Sequence, residues 1–264
     1  MKKIIYIVLA LVINYSANAQ GKINGIIDYN FVINNPDGTT FVRPYLLYFN
    51  NQFSNFVANG RAERIDNIDD LGVMETTGEM IQRKVIDSDS PRDYVYTDLK
   101  EKTMLFQEEI VREMFIVKED VANIKWKLSK ERKKIGKYSC QKAIGLFRGR
   151  EYTVWFTTDI PVSFGPWKLG GLPGLILQVD EDRNKFSFRV AKLSVNVKTK
   201  EIEDGLISPM VDNMSTMDKY IEAIKNRQKN FEAMLLSTLP RGTQLKRDCD
   251  ECPKAEDLSL EIFK

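Results

Sequence analysis

The sequence of 264 residues contains no histidine. Without an imidazole, the chain cannot form a Ser-His-Asp or Cys-His relay, and it has no histidine ligand for zinc or haem. Cysteine is also scarce, with 3 residues. A lone C-x-x-C pair lacks the second pair of ligands that a closed zinc site requires. The composition therefore predicts no metal site and no cofactor, and it excludes histidine-dependent catalysis.

The N-terminus has the three parts of a secretory signal peptide. Lys2 and Lys3 supply the charge, Ile4–Ile13 is apolar, and Ala17-Asn18-Ala19 matches an A-x-A cleavage site. The apolar run is too short for a membrane-spanning helix, and no later run approaches about 18 residues. We therefore expect residues 1–19 to be removed. The mature chain should not span the membrane, and it should be periplasmic, outer-membrane-associated or extracellular.

The charge of the chain argues against nucleic acid as a partner and leaves an anionic envelope ligand open. Loss of Lys2 and Lys3, with no acidic residue, takes the formal net charge from +2 to zero. A neutral exported protein is a poor candidate for nucleic-acid binding, which requires many uncompensated phosphate contacts. Residues 121–150 are strongly basic, and residues 61–120 are rich in acids. These blocks are either complementary solvated strands and turns, or a basic patch that meets an anionic lipid head group or glycan.

The first three quarters of the mature chain carry strand patterns. Apolar residues alternate with polar ones from Ile23 to Phe31, and residues 40–50 are aromatic and β-branched. Two hairpins are predicted, Tyr138–Phe147 with Glu151–Thr158 and Leu175–Val179 with Lys185–Ala191. Short strand-like runs between these regions are Met80–Ile86, Asp93–Thr97, Thr103–Gln107, Glu113–Val117 and Ile124–Leu128. The pattern predicts a mainly β fold, with a curved antiparallel sheet, half-barrel or sandwich.

A change of period near the C-terminus predicts a helix. Apolar residues recur every three or four positions between Met217 and Leu235, which is typical of an amphipathic helix over residues 216–237. Ser215 or Thr216 is the expected N-cap. We therefore expect one β-rich domain over residues 20–240 that includes this helix, followed by an acidic, cysteine-containing tail over residues 241–264.

A long loop rich in glycine and proline separates the two hairpins. Leu172-Pro173-Gly174-Leu175 fits a type II turn, with Gly174 at positive φ. The adjacent Gly170-Gly171 permits a close backbone approach or a left-handed step. Residues 171–176 are Gly, Leu, Pro and Ile, which offer no nucleophile or base, and they lead into a strand, whereas phosphate loops lead into a helix. An architectural role is favoured over a docking surface or a phosphate cradle.

The same loop carries a family resemblance. Gly171, Leu172, Pro173, Gly174, Leu175 and Ile176 spell GLPGLI, and the chain resembles the Bacteroidota GLPGLI family named for this motif. The resemblance is dense over Lys137–Asp180. It implies an exported protein of the cell envelope, in some cases encoded beside an outer-membrane barrel protein. It carries over no catalytic residue.

The three cysteines leave several pairings open. A disulfide from Cys140 to Cys249 or Cys252 closes a loop of over 100 residues, for which the chain-entropy model gives about 4.7 kcal/mol. The alternatives are a local Cys249–Cys252 disulfide and a redox or metal role.

The residues suggest a binding surface rather than a catalytic one. Our candidates combine two tryptophans with three cations, namely Trp155, Trp167, Lys168, Arg148 and Arg150. The leading hypothesis is a non-catalytic module that binds an envelope protein or an amphiphilic or anionic ligand. The alternatives are a carboxylate-dependent hydrolase of envelope glycans and a structural outer-membrane accessory protein. A solvent-connected apolar cavity favours the carrier, whereas the hydrolase requires two carboxylates about 5–9.5 Å apart.

Overall fold

A computed structural model of the protein describes residues 23–35, 38–65, 92–198, 200–240 and 259–263. The predicted signal peptide, the predicted strand Met80–Ile86 and the cysteines 249 and 252 lie outside these residues. In the described ranges the chain forms twelve strands and three short helices. The strands are β1 (Gly25–Asn34), β2 (Thr40–Phe49), β3 (Phe53–Ala58), β4 (Glu63–Ile65), β5 (Tyr94–Asp98), β6 (Thr103–Ile110), β7 (Glu113–Asp120), β8 (Lys127–Ile135), β9 (Tyr138–Phe147), β10 (Arg150–Thr157), β11 (Leu175–Glu181) and β12 (Phe186–Val195). The helices are α1 (Lys200–Gly205), α2 (Met217–Lys225) and α3 (Arg227–Thr238).

All the strands join one open antiparallel sheet, which confirms the predicted fold class. Their order is β7-β6-β5-β3-β2-β1-β12-β11-β10-β9-β8, and β4 pairs with β2 outside this path. Because β1 pairs with both β2 and β12, the first and last strands of the chain meet in the middle of the sheet. The N-terminal half therefore builds one wing of the sheet, and the C-terminal half builds the other.

The sheet curls until its two wings touch. Arg148, in the turn between β9 and β10, forms an ion pair with Glu119 of β7, although these strands lie near opposite ends of the sheet order. Strand twist and the bulges at Asp28/Tyr29 and Trp155/Phe156 are the usual sources of such curvature. The concave face holds the larger apolar core, which includes Tyr29, Leu47, Phe56, Val154, Ile176 and Phe188.

A smaller cluster forms a second packing layer beneath α1. Ile26, Leu46 and Tyr48 of β1 and β2 are buried there together with Ile202 of the helix. Adjacent residues such as Ile26 and Ile27 belong to different clusters because successive side chains on a strand point to opposite faces. The central strands are therefore apolar on both faces.

Several strand boundaries differ from the sequence prediction. The predicted strand Ile124–Leu128 is wrong in position, because the strand is the basic segment β8 (Lys127–Ile135). β8 lies at the edge of the sheet and pairs with β9, so lysine and arginine side chains there reach solvent. Both predicted hairpins are present, with second strands that begin or end a few residues away from the predicted positions.

The predicted helix 216–237 is two helices. Thr216 caps α2 and accepts a hydrogen bond from the backbone N–H of Lys219, as its role as N-cap requires. The chain leaves helical geometry at Asn226, after which α3 begins. α2 buries Tyr220, Ala223 and Ile224, whereas α3 buries no residue. The break coincides with the interruption of the apolar pattern at Arg227 and Gln228.

The long loop folds back on itself over residues 158–174, but the predicted type II turn is wrong. Gly174 does not have positive φ, whereas Gly171 does, at +83°. A Cβ on Gly174 would lie 2.1 Å from the carbonyl oxygen of Thr157, so this glycine permits close backbone approach. The loop is closed by backbone hydrogen bonds from Leu175 to Ile160 and from Ile176 to Phe164. Its apolar side chains Phe164, Leu169 and Leu172 are buried in the main core.

Candidate ligand cavity on the concave face

The concave face contains a cavity of about 280 Å³. Eight of its lining residues are aromatic, namely Phe31, Tyr45, Tyr94, Phe56, Phe106, Trp167, Phe186 and Phe188. The rings come from both wings of the sheet and from the long loop. The cavity lies near the lower end of the range of about 300–1,000 Å³ that is usual for small-molecule sites.

The aromatic wall follows from the strand pattern. Phe31 on β1 lies between strands β2 and β12, and its ring stacks on Phe188 at a centroid distance of 4.7 Å. Tyr45 on β2 stacks on Phe56 of β3 at 4.5 Å. Neighbouring antiparallel strands place directly paired side chains, such as Phe31 and Phe188, on the same face as diagonal neighbours, such as Tyr45 and Phe56, so the aromatic residues form a continuous surface.

A polar pair occupies the mouth of the cavity. Arg43 and Asp93 form an ion pair with 29% and 22% of their side chains exposed. Arg43 also donates a hydrogen bond to the hydroxyl of Tyr45 at 3.2 Å. Burial raises the pKa of Tyr45, so its phenol stays protonated at neutral pH. The mouth therefore presents fixed hydrogen-bonding groups beside an apolar wall.

The floor of the cavity contains an acid-base cluster. Glu108 of β6 and Glu261 line the floor, and each has a carboxylate oxygen within hydrogen-bond distance of the Tyr220 hydroxyl, at 2.7 Å and 2.8 Å. Burial raises the pKa of Glu108, and the nearby charge of Glu261 acts in the same direction. Lys168 forms salt bridges with Glu261 at 3.1 Å and with Glu119 at 2.8 Å. Its ammonium also lies 3.4 Å from the ring centroid of Phe106, in a cation–π contact.

A short C-terminal segment, Ser259–Phe263, lies across the concave face, and we call it the strap. Arg150 donates two hydrogen bonds to the carbonyl of Ser259, and Tyr152 donates one to that of Leu260. The backbone N–H of Ile262 donates to the carbonyl of Arg148 at 2.7 Å. The strap packs so closely that a Cβ on Gly149 would lie 2.8 Å from Ile262. Ser259, Leu260 and Glu261 form part of the cavity wall.

Four of the five residues of the predicted binding surface lie at the cavity or next to the strap. Arg148, Arg150, Trp167 and Lys168 all contact the strap or the cluster beneath it. They do not form an exposed basic surface, because Arg150 and Lys168 are buried and ion-paired.

Trp155 does not line the cavity, and its ring lies 4.4 Å from the ammonium of Lys133. The predicted disulfide partner Cys140 has a buried, free thiol in the described structure. Its pairing with either tail cysteine stays a prediction.

Sequence reasoning missed the residues of the cavity floor. Glu108, Tyr220 and Glu261 lie far apart in the chain, and no motif joins them. The only local signal is that Glu108 and Glu261 interrupt apolar runs, whereas Tyr220 fits the apolar pattern of its helix. Among the described residues no group of three or more Cys, Asp and Glu is arranged to hold a metal ion. No helix in the described ranges is long and apolar enough to cross a bilayer.

Comparison with solved structures supports the fold. The structure of PNGF-II in space group C2 superposes with a TM-score of 0.50 at 15% identity, over 77% of this chain and 32% of that one. This chain thus spans about a third of the length of PNGF-II. A second crystal form of PNGF-II (TM-score 0.46, 15% identity, 80% and 34% coverage) is similar more loosely. An uncharacterised conserved protein from Thermus thermophilus is also loosely similar (TM-score 0.36, 6% identity), over 73% of this chain and 90% of that one.

Sequence comparison gives the family. Curated proteins gave no match. The profile described as N-glycanase peptide, N-terminal domain matches residues 60–220, which hold most of both wings, the long loop and the start of α2. Because the match covers more than half of the chain, the protein belongs to the N-glycanase peptide, N-terminal domain family.

Proposed function

We propose that the protein is an exported accessory module of the cell envelope that binds an amphiphilic ligand in its concave-face cavity. The observation that carries this proposal is the combination of an aromatic wall with hydrogen-bonding groups at the mouth and the floor. The predicted signal peptide and the GLPGLI resemblance support export. The family match is to a domain described as N-terminal, which is compatible with a binding module.

The cavity chemistry specifies the kind of ligand. Aromatic rings provide large, rigid apolar contact area, which suits a flat or compact hydrophobic body. Glu108 at the floor suits a hydroxyl or amine on that body, because a carboxyl group accepts hydrogen bonds and, when protonated, also donates one. A volume of about 280 Å³ suits a compact amphiphile rather than a complete diacyl lipid.

A fluorescent probe tests whether the cavity binds such molecules. N-phenyl-1-naphthylamine is a neutral aromatic amine whose fluorescence rises in apolar surroundings, and we expect it to bind the full mature chain. Phe31→Ala should weaken binding about two- to tenfold, because it removes one stacking partner. Val95→Phe, which adds volume to the wall, should abolish it. Leu146→Ala is the matched control, because Leu146 is 71% exposed and does not line the cavity.

Equal binding by the wild type, Phe31→Ala and Val95→Phe would show that the probe lies elsewhere and would contradict the proposal. Circular dichroism on each variant shows whether the fold is retained. For the natural ligand, native mass spectrometry on protein purified from an envelope fraction should reveal a bound small molecule. Recovery of a barrel protein with an empty cavity would instead support the structural accessory role.

A second candidate function, carboxylate-dependent hydrolysis, is favoured by one observation. Glu108, whose pKa is raised by burial, lines the same cavity as Asp93 and Glu109. A carboxyl group with a raised pKa can act as a general acid beside an ionised partner. The test is incubation with an N-glycopeptide, followed by mass spectrometry for released glycan. Release that Glu108→Gln abolishes would support the enzyme, and absence of release would exclude it for that substrate.

A further inference from the structure

The hydrogen bonds of Tyr220 require one more proton than the hydroxyl can supply. Its Oη lies 2.7 Å from a carboxylate oxygen of Glu108 and 2.8 Å from one of Glu261. A phenol carries a single O–H and donates one full hydrogen bond. Two ionised carboxylates at these distances would leave one oxygen–oxygen contact with no proton between the atoms. One of the two acids must therefore be protonated, so that it donates to the phenol oxygen.

The surrounding charges place this proton on Glu108. The carboxylate of Glu261 lies 3.1 Å and 3.2 Å from the ammonium of Lys168 and 3.2 Å from Nε of Arg148, so it is already paired with two cations. Burial raises the pKa of Glu108, and the charge of Glu261 adds to this effect. Burial also raises the pKa of Tyr220 well above its ordinary value, so the phenol keeps its own proton.

Glu108 is faced by charged or titratable groups from five elements. Tyr220 of α2 and Glu261 of the strap form the hydrogen-bonded relay. Lys168 of the long loop and Arg227 of α3 are close enough to lower the pKa of Glu108. Tyr45 of β2 also faces Glu108. Burial is the largest cause of the raised pKa of the Tyr45 phenol, and the charge of Glu108 adds to it. The net effect of burial and these neighbours raises the pKa of Glu108.

The relay holds the strap in place. Glu261 is the only acidic side chain of the strap and is 2% exposed. It connects the strap to the long loop through Lys168 and to α2 through Tyr220. Phe263 adds an edge contact with the ring of Tyr220, at a centroid distance of 6.2 Å. Since Ser259, Leu260 and Glu261 form part of the cavity wall, release of the strap would widen the cavity.

We propose that the strap is a proton-controlled cover of the cavity, closed when Glu108 is protonated and loosened when Glu108 loses its proton to solvent. After that loss, the hydroxyl of Tyr220 can donate a hydrogen bond to only one of the two carboxylates. The negative charges of Glu108 and Glu261 then repel each other across the hydroxyl. The proposal deepens the proposed function, on which its consequence for ligand entry rests. Movement of the strap itself does not depend on any ligand.

The direction of the pH dependence follows from linkage. A carboxyl group whose pKa is raised in the closed state stabilises that state fully at low pH. This contribution is lost as the pH rises through the raised pKa. The strap should therefore be most protected below the ordinary pKa range of glutamate and progressively less protected above it.

Hydrogen exchange of the strap in the full mature chain, without ligand, tests the proposal. The backbone N–H of Ile262 is bonded to Arg148 and reports strap closure. Between about pH 4 and about pH 8, after correction for the intrinsic exchange rate, we expect protection to fall about tenfold, as loss of one charge-assisted hydrogen bond implies. In Glu108→Gln the amide mimics the protonated acid, so protection should stay high at every pH. The same pH dependence in Glu108→Gln as in the wild type would overturn the proposal.

Two further variants separate the relay from general effects of charge. Tyr220→Phe removes the hydroxyl but keeps the buried ring, and we expect low strap protection at all pH values, with an intact fold by circular dichroism. Full protection in this variant would also contradict the proposal. Glu113→Gln is the matched control because Glu113 is exposed at the start of β7 and should retain the wild-type pH dependence.

The probe N-phenyl-1-naphthylamine distinguishes failure of the cover from failure of the proposed function. If strap protection changes with pH but the probe binds at no pH, the result supports the proton-controlled strap and contradicts the proposed ligand cavity. If the probe binds but strap protection is independent of pH, the result supports the ligand cavity and contradicts the proton-controlled strap. With both correct, access of the probe should increase with pH in the wild type and not in Glu108→Gln.

Discussion

Arg150 and Glu181 form an ion pair in which both side chains are essentially inaccessible to solvent, at 1% and 0% exposure. They belong to the neighbouring strands β10 and β11, and Arg150 also anchors the strap through the carbonyl of Ser259. Glu181 accepts two further hydrogen bonds from the backbone N–H groups of Arg183 and Lys185 in the following turn. One buried pair thus connects the sheet, a hairpin turn and the wall of the cavity.

This pair gives the first prediction. Arg150→Ala should reduce the free energy of unfolding by about 3–5 kcal/mol, because it leaves the carboxylate of Glu181 buried without its cation. The double variant Arg150→Met, Glu181→Met should lose less, since it removes both charges. Arg132→Ala, at an exposed position of β8, is the control and should stay within about 0.5 kcal/mol of the wild type. Urea denaturation measures all three, and a larger loss in the double variant than in Arg150→Ala would contradict the argument.

The second prediction concerns the glycines of the long loop. Gly174→Ala should lower the melting temperature strongly, because its Cβ would lie 2.1 Å from the backbone oxygen of Thr157. Gly171→Ala meets no atom within 4 Å and should cost only the left-handed strain of about 1–2 kcal/mol. Differential scanning calorimetry measures the two effects. A milder loss for Gly174→Ala than for Gly171→Ala would show that the backbone approach at Gly174 is unimportant.

The third prediction concerns Cys140. Burial raises the pKa of its thiol to about 11, so almost none of it is the reactive thiolate at about pH 8. We expect iodoacetamide to leave Cys140 unmodified in the folded protein and to modify it after unfolding without reductant. Peptide mass spectrometry measures the modification. If Cys140 becomes reactive only after reduction, it forms a disulfide with one of the tail cysteines.

The fourth prediction separates the two helices. Ile224→Ala in α2 should cost about 2–5 kcal/mol, because Ile224 is buried in the main core. Leu236→Ala in α3 should cost less than about 0.5 kcal/mol, because that side chain is 41% exposed. Chemical denaturation measures both. A large loss for Leu236→Ala would mean that α3 is covered by a part of the chain outside the described residues.

The local pattern was enough to predict most strands of the sheet but not all. The hairpins around Arg148-Gly149 and Asp180–Asn184 were predicted because alternation and turn residues are local signals. β8 was misplaced because it is a basic edge strand whose register depends on β9 rather than on its own hydrophobicity. The helix break at Asn226 was missed because one amphipathic helix was predicted across the interruption of the apolar pattern at Arg227 and Gln228.

The candidate site was only partly accessible to prediction. Trp167 and Lys168 were singled out as part of a binding surface, but the ion pair of Lys168 with Glu261 of the strap was not predicted. Glu108, Tyr220 and Glu261 were not singled out at all, because their significance lies in contacts between residues more than 40 positions apart. A charged residue in a sequence does not reveal whether it will be solvated or buried against a partner.

The sequence by itself determined the mainly β fold, the absence of histidine chemistry and the prediction of export, because composition, alternation and the signal pattern are local properties. Only the tertiary structure decided that the sheet curls until β7 meets the β9–β10 turn, and that the strap forms part of the wall of the cavity. The physical reason is that curvature and buried ion pairs depend on which distant strands meet. Lys168 and Arg150, which the sequence suggested as part of a binding surface, are therefore buried in ion pairs beside the cavity.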